Sequence, residues 1–256
     1  MRPSPHDISK TQFTALLAEY PALIASVSAS KPPKPGKQSL AQLDAFRYGD
    51  ALGFFARDAA SEDVIKGHVE RLVEWKLRHG KFRPTLMSLV SSNKASLVHC
   101  TMASALHTYR TALDKTTCSP SAARSAAIKS LCALRGIGPA TASLLLAVHD
   151  PARTIFFSDE AFAWLCADSS LASSPKYSAA EYASLADAAE CLVARLGVDA
   201  VDVEKVAYVI LRSPLLRDDD SRQTTTKSKR KPPPSRSPPP AKANDTGLRR
   251  SKRLRA

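Results

Sequence analysis

Ser130-Leu131-Cys132-Ala133-Leu134-Arg135-Gly136-Ile137-Gly138-Pro139-Ala140-Thr141-Ala142-Ser143-Leu144-Leu145-Leu146 sets two glycines, one residue apart, between two apolar runs of helical character. Gly136 and Gly138 permit a tight corner with positive φ and no Cβ to obstruct a ligand. Pro139 suits the first position of a helix, where its missing N–H costs nothing. The amides of the corner and of the following helix start then lack intrahelical acceptors. Such a group of N–H donors is an anion site, well suited to one phosphate of a nucleic-acid backbone. Ile137 is expected to pack downward and hold the two helices together. An ordinary helix–helix turn without a ligand is the competing reading.

The pattern outside this corner is helical. Leu40, Leu43, Phe46, Leu52 and Phe55 follow a Ser39-Leu40-Ala41-Gln42 cap. Ser61 is a candidate cap for the next helix, with Glu62 and Asp63 in its first turn and Val64, Val69, Leu72, Val73 and Leu77 at helical intervals. His79-Gly80 ends it, and Pro84 starts a short helix. Further helices are expected over 94–113, 120–134, 140–148, 159–166, 179–196 and 203–211. Thr154-Ile155-Phe156-Phe157 is the one strand-like patch. These periodicities give an all-α domain over residues 39–216. An N-terminal helix, roughly residues 9–20, and a Pro-rich linker (Lys31-Pro32-Pro33-Lys34-Pro35-Gly36-Lys37) make up residues 1–38.

The 256 residues carry a net charge of +13, unevenly spread. Residues 217–256 hold 13 Lys/Arg against 4 Asp, together with two proline triplets and almost no apolar side chains. Such a composition cannot offset its ordering entropy, so disorder is expected there. Two basic clusters, Lys227, Lys229, Arg230 and Lys231, then Arg249, Arg250, Lys252 and Arg253, have the spacing of a bipartite nuclear import signal. Nuclear localisation and an import receptor are the corresponding expectations; a generic solubilising tail is the alternative. Either tail is drawn to phosphate backbones, and phosphorylation at Ser235 or Ser237 would weaken that attraction. No run of about eighteen apolar residues stands out as a membrane span. The start, Met1-Arg2-Pro3-Ser4-Pro5-His6, has no apolar core of a secretory signal. The five cysteines form no CxxC pair and are expected to be reduced and mostly buried. The six histidines form no metal-ligand motif, so neither metal nor other cofactor is expected.

The stretch Leu134-Arg135-Gly136-Ile137-Gly138-Pro139-Ala140-Thr141-Ala142 resembles the helix-hairpin-helix motif. Asp159 lies 21 residues beyond Gly138 at the head of another helix, as in the helix-hairpin-helix DNA glycosylase superfamily. The resemblance covers residues 121–165 most clearly and implies a multi-helix glycosylase-like domain that binds double-stranded DNA by its backbone. Arg135, Gly136, Ile137, Gly138, Ala140 and Thr141, with Lys129 and Arg124 beside them, are the DNA-binding residues it implies. It implies Asp159 as the catalytic carboxylate, stabilising an oxocarbenium-like sugar or orienting water. Bifunctional members carry a lysine two residues past the second glycine; Ala140 stands there, so the resemblance is to the monofunctional, alkylated-base type and gives no lyase step. The local Ser158-Asp159-Glu160-Ala161 departs from the family's common Val-Asp pattern. Asp159 as a plain helix-start acid is therefore the other reading, and Glu160 reads as a solvated neighbour.

The expected activity is thus excision of damaged bases by a nuclear monomer. A non-catalytic DNA-binding or chromatin scaffold is the alternative, and a helical protein–protein adaptor a third. Glu74-Trp75-Lys76-Leu77-Arg78-His79-Gly80-Lys81-Phe82-Arg83-Pro84 alternates cations with aromatics. It is read either as a surface that grips phosphates and stacks on a base, or as a core tryptophan beneath basic side chains.

Overall fold

A computed structural model describes residues 2–52, 61–114, 119–167 and 175–216. The basic tail, with Lys227, Lys229, Arg230, Lys231, Arg249, Arg250, Lys252 and Arg253, lies outside the described residues, as do Phe55 and Cys118. Among the described residues there are ten α-helices and no strand. They are α1 (Lys10–Ser30), α2 (Leu40–Ala45), α3 (Glu62–His79), α4 (Leu86–Ser91), α5 (Ala95–Asp114), α6 (Pro120–Leu131), α7 (Pro139–His149), α8 (Asp159–Cys166), α9 (Ala179–Leu196) and α10 (Ala200–Arg212). A π-helical turn, Phe46–Asp50, continues α2, and a 3-10 turn, Pro214–Leu216, follows α10.

Local chemistry sets most helix starts. Ser9 with Gln12, Ser39 with Gln42 and Ser178 with Glu181 form reciprocal capping boxes. Ser119 caps α6 ahead of Pro120, accepting a hydrogen bond from the Ala122 amide. Ser61 occupies the cap position of α3, but its side chain accepts no capping hydrogen bond.

Helix α7 is the centre. Every residue from Ala140 to Val148 is buried and none is charged, so it must be covered on all sides. Helices α6, α3 and α9 pack around it, while α5 lies along α6 and α3. Helix α10 carries α1, α8 and α9 on its flanks. The α1 helix runs ten residues past the expected end at Tyr20, straight through Pro21. By length and composition it is apolar enough to cross a membrane, which the sequence reading did not anticipate. Its Phe13, Tyr20 and Ile24 are buried, and it packs against α10 and α2. The segment before it is also tied down. Trp164 Nε1 donates to the Pro3 carbonyl at 2.9 Å, and Arg195 donates to the carbonyls of Ile8 and Pro5 at 3.0 and 2.8 Å.

Trp75 is core, fully buried, with its Nε1 donating to Asp44 Oδ1 at 2.9 Å. Tyr20 donates to the same oxygen at 2.9 Å. Arg47 lies over the Trp75 ring at 3.8 Å and forks onto both oxygens of Glu204, at 2.5 and 2.7 Å. Both partners are buried, and the two-pronged geometry is what offsets their desolvation. The cysteines depart from expectation. Cys100, Cys166 and Cys191 are exposed on their helices, and Cys132, the residue that caps the end of α6, is half-buried.

Candidate active site

The α6–α7 connection turns at Leu134–Gly138. Gly136 has φ +77°, a left-handed conformation that favours glycine. A Cβ there would meet Leu89 Cβ and Val90 Cγ2 at 3.0 Å, so glycine also permits α4 to approach. Gly138 is extended, exposed and open on its Cβ side, and serves as the N-cap of α7. Ile137 is buried beneath the turn, as expected. Asn93 clamps the corner from outside. Its Oδ1 accepts from the Arg135 amide at 3.0 Å, and its Nδ2 donates to the Arg135 and Val90 carbonyls at 2.9 and 2.8 Å. Among the described residues, the Gly138 and Ala140 amides meet no backbone or side-chain acceptor.

Beside this corner opens a cleft of about 290 Å³. Gly136, Gly138, Ala140 and Thr141 form one wall, Phe156 to Glu160 a second, and the end of α3 with Lys81 and Arg83 a third. The stretch Thr154–Phe157, read as strand-like, is buried and lies outside any helix, and it forms no strand among the described residues. The Phe157 amide donates instead to Ser143 Oγ on α7 at 2.9 Å, which seats the start of α8 against the corner.

Ser158 is the N-cap of α8, its Oγ accepting from the Ala161 amide at 3.0 Å. Asp159 is therefore not the cap. Its carboxylate is 9% exposed and lines the cleft. The Tyr177 hydroxyl donates to Asp159 Oδ1, and Lys81 Nζ lies 3.3 Å from Oδ2. Tyr177 has φ +58°, an uncommon conformation for an aromatic residue and a strain of the kind that clusters at functional sites. Burial and the Asp159 hydrogen bond push its phenol pKa well up, so it remains a donor. The guanidinium of Arg83 stands 5.1 Å from the Tyr177 ring centroid.

Glu160 does not behave as a solvated acid. It is 1% exposed, and Arg212 pairs with it from α10. Burial pushes its carboxyl above the ordinary range while Arg212 opposes that rise. His79 also borders the cleft, between Trp75 and Tyr208, with ring centroids at 4.4 and 4.0 Å. Burial, with Arg47 and Arg212 nearby, pushes its pKa well below the usual value, so the ring is neutral.

Lys76 reaches the cleft from α3. Its Nζ donates to the buried Thr141 Oγ1 at 2.8 Å. Burial first, then the charge of Arg83, lower its pKa to about 8 from 10.5, against a weaker upward pull from Asp159. A second, larger groove of about 860 Å³ adjoins at Gly80. Lys31, Lys34, Lys37, Arg71 and Arg78 line it alongside Glu70 and Glu74, and Phe82, 73% exposed, stands at its edge.

The fold thus brings Gly136, Gly138, Ala140, Thr141 and Asp159 to one cleft. Arg135 is exposed in the corner itself, and Lys129 is exposed on α6. Arg124 is elsewhere: its side chain is 5% exposed and ties α6 to α9 through Asp187 and Glu190, at 3.5 and 3.6 Å. That burial removes it from a DNA-facing surface. Sequence reasoning missed Tyr177 and Asn93 as parts of the site, and it read Lys81 only as part of a possible phosphate-gripping stretch, not as a partner of Asp159. Comparison with protein-family models, curated proteins and solved structures finds no match to this chain.

Proposed function

We propose that this protein is a nuclear DNA N-glycosylase of the helix-hairpin-helix type. It binds the backbone of duplex DNA at the Gly136–Gly138 corner and hydrolyses the glycosidic bond of a damaged base extruded into the adjoining cleft. The observation that supports this reading is the position of Asp159: its carboxylate lines a concave site that the glycine corner also lines. A phosphate on the Gly138 and Ala140 amides would hold the flanking sugar while the base enters the cleft. About 290 Å³ lies at the lower end of small-ligand sites and suits one base.

Asp159 performs the chemistry in this reading. As the base leaves, positive charge grows on the sugar ring, and a fixed carboxylate nearby stabilises it. Tyr177 and Lys81 hold the two carboxylate oxygens in place. Lys81 and Arg83, exposed at the mouth, and the basic side chains of the adjoining groove attract the phosphates on either side.

The test uses purified protein and duplexes bearing alkylated, deaminated or oxidised bases. Release of free base by the native protein, lost in Asp159→Asn with DNA affinity retained, supports the reading. Affinity that falls with salt and is weakened by Gly138→Asp supports the phosphate site. Salt-sensitive binding without release of any base from the panel would make the protein a non-catalytic DNA-binding scaffold instead. Binding indifferent to both salt and Gly138→Asp would remove DNA from the account.

A further inference from the structure

We propose that the larger groove beside the base cleft seats single-stranded DNA, with an unpaired base stacked on the Phe82 ring and the phosphates held by Lys31, Lys34 and Lys37. The choice of DNA rests on the base-excision reading. Three observations carry the inference.

The first is the boundary between the two hollows. Gly80, Lys81, Phe82 and Arg83 follow α3 and lie outside any helix. Lys81 and Arg83 line the base cleft, Phe82 lines the groove, and Gly80 lines both. The hollows thus meet at a residue without a side chain, and a strand with one base in the cleft can continue into the groove.

The second is the ring. Among the described residues, Phe82 is the one exposed Phe, Tyr or Trp, with 73% of its surface open. A lone exposed apolar side chain needs no explanation by itself. This ring, however, stands on a groove that also contains Leu77 and Met87 and has about three times the space of the base cleft, about 860 against 290 Å³. A duplex keeps its bases stacked on one another, whereas a single strand offers their faces to such a ring.

The third is charge. The acids of the groove are already engaged, Glu70 by Lys66 at 3.9 Å and Glu74 by Arg78 at 3.4 Å. Arg71 has a neutral partner, donating to Gln38 at 2.7 Å. Lys31, Lys34 and Lys37 are exposed and meet no carboxylate among the described residues. Cations that follow a backbone and a ring that takes any base face are together what a single strand requires. An acidic peptide would use the lysines and leave the ring idle. The basic tail, residues 217–256, also attracts phosphates but contains no aromatic residue, so stacking separates the groove from the tail.

The experiment cross-links the native full chain to a short oligothymidylate with ultraviolet light and maps the modified peptide. Affinity is measured in parallel at about 0.2 M salt, where attraction through phosphates alone is weakened. The expected cross-link is at Phe82. Phe82→Ala should weaken binding of the single strand about tenfold. Phe82→Trp should restore it, and the fluorescence of the added indole should be quenched as the strand binds. Lys34→Glu should weaken it as well. Mapping on the native chain does not depend on how any variant folds. Cross-links confined to the tail or to the Gly136–Gly138 corner, or an affinity indifferent to Phe82→Ala, overturn the proposal. So does a Phe82-dependent preference for perfect duplex or for oligouridylate, and so does stronger competition by polyglutamate than by oligothymidylate. Base release without a Phe82 cross-link sinks this inference alone. A Phe82 cross-link with no base released from any damaged duplex sinks the glycosylase reading alone.

Discussion

Arg212 sets Nε 2.7 Å and Nη2 2.5 Å from one and the same oxygen of Glu160, and this grip divides the roles of two neighbouring acids. Glu160 is spent on joining α8 to α10, while Asp159, one residue earlier, takes Tyr177 and Lys81 as its partners. Removing the guanidinium leaves a buried carboxylate without its counter-charge. Arg212→Ala should therefore cost about 3 kcal/mol at pH 7, measured by urea unfolding. The folded-state pKa of Glu160 already lies above its unfolded value. Ionisation thus costs stability as pH rises, and that cost vanishes below about pH 4. The deficit of the variant should shrink as pH falls from 7 toward 5.

The two glycines of the corner should respond differently to alanine. Gly136→Ala strains a backbone at φ +77° and drives a Cβ to 3.0 Å from Leu89 and Val90. A loss of about 1–3 kcal/mol is expected in thermal or urea unfolding. Gly138→Ala meets nothing within 4 Å and has no positive φ. Its stability should stay within about 0.5 kcal/mol of the native chain.

Asn93 gives a third test. Its amide carbonyl and amino group bond both backbone groups of Arg135 from a side chain that is 4% exposed. Asn93→Ala strands those groups, with an expected cost of about 2 kcal/mol. Hydrogen exchange of the Arg135 amide should accelerate more than that of amides within α9.

Lys76 links stability to alkaline pH. Its folded pKa, about 8, lies below the unfolded 10.5. The unfolded chain then binds more protons between these values, so stability from this group rises as pH goes from 8 to 10.5. Lys76→Met should abolish that rise and should stabilise the protein by about 2 kcal/mol at pH 7, after allowance for the lost Thr141 hydrogen bond.

Much of the architecture was legible because its signals are local. Ser39 with Gln42, and Pro120 and Pro139 at helix starts, are cap chemistry that a linear reading detects. The bounds of α8 and α9 match the expected 159–166 and 179–196. The length of α1 was not legible, since Pro21 reads as a stop and only packing against α10 and α2 carries the helix past it. At the site, the corner and Asp159 could be named from spacing, whereas their partners could not. Tyr177 and Lys81 approach Asp159 from separate parts of the chain, and Lys76 meets Thr141 across 65 positions. Arg124 and Glu160 show the converse: a charge in a plausible place is drawn inward by a partner on another helix.

The carbonyls of Pro3, Pro5 and Ile8 are held by Trp164 and Arg195, so the opening residues act as a strap across α8 and α9. That has a practical side. A purification handle or reporter joined ahead of Pro3 would tug on the helix whose first residue is Asp159. Proteolytic trimming of those few residues would bare the Trp164 indole and loosen the carboxylate without touching the cleft itself. Preparations used for activity assays should therefore carry any appended sequence elsewhere, with intact mass checked before a missing activity is taken as meaningful.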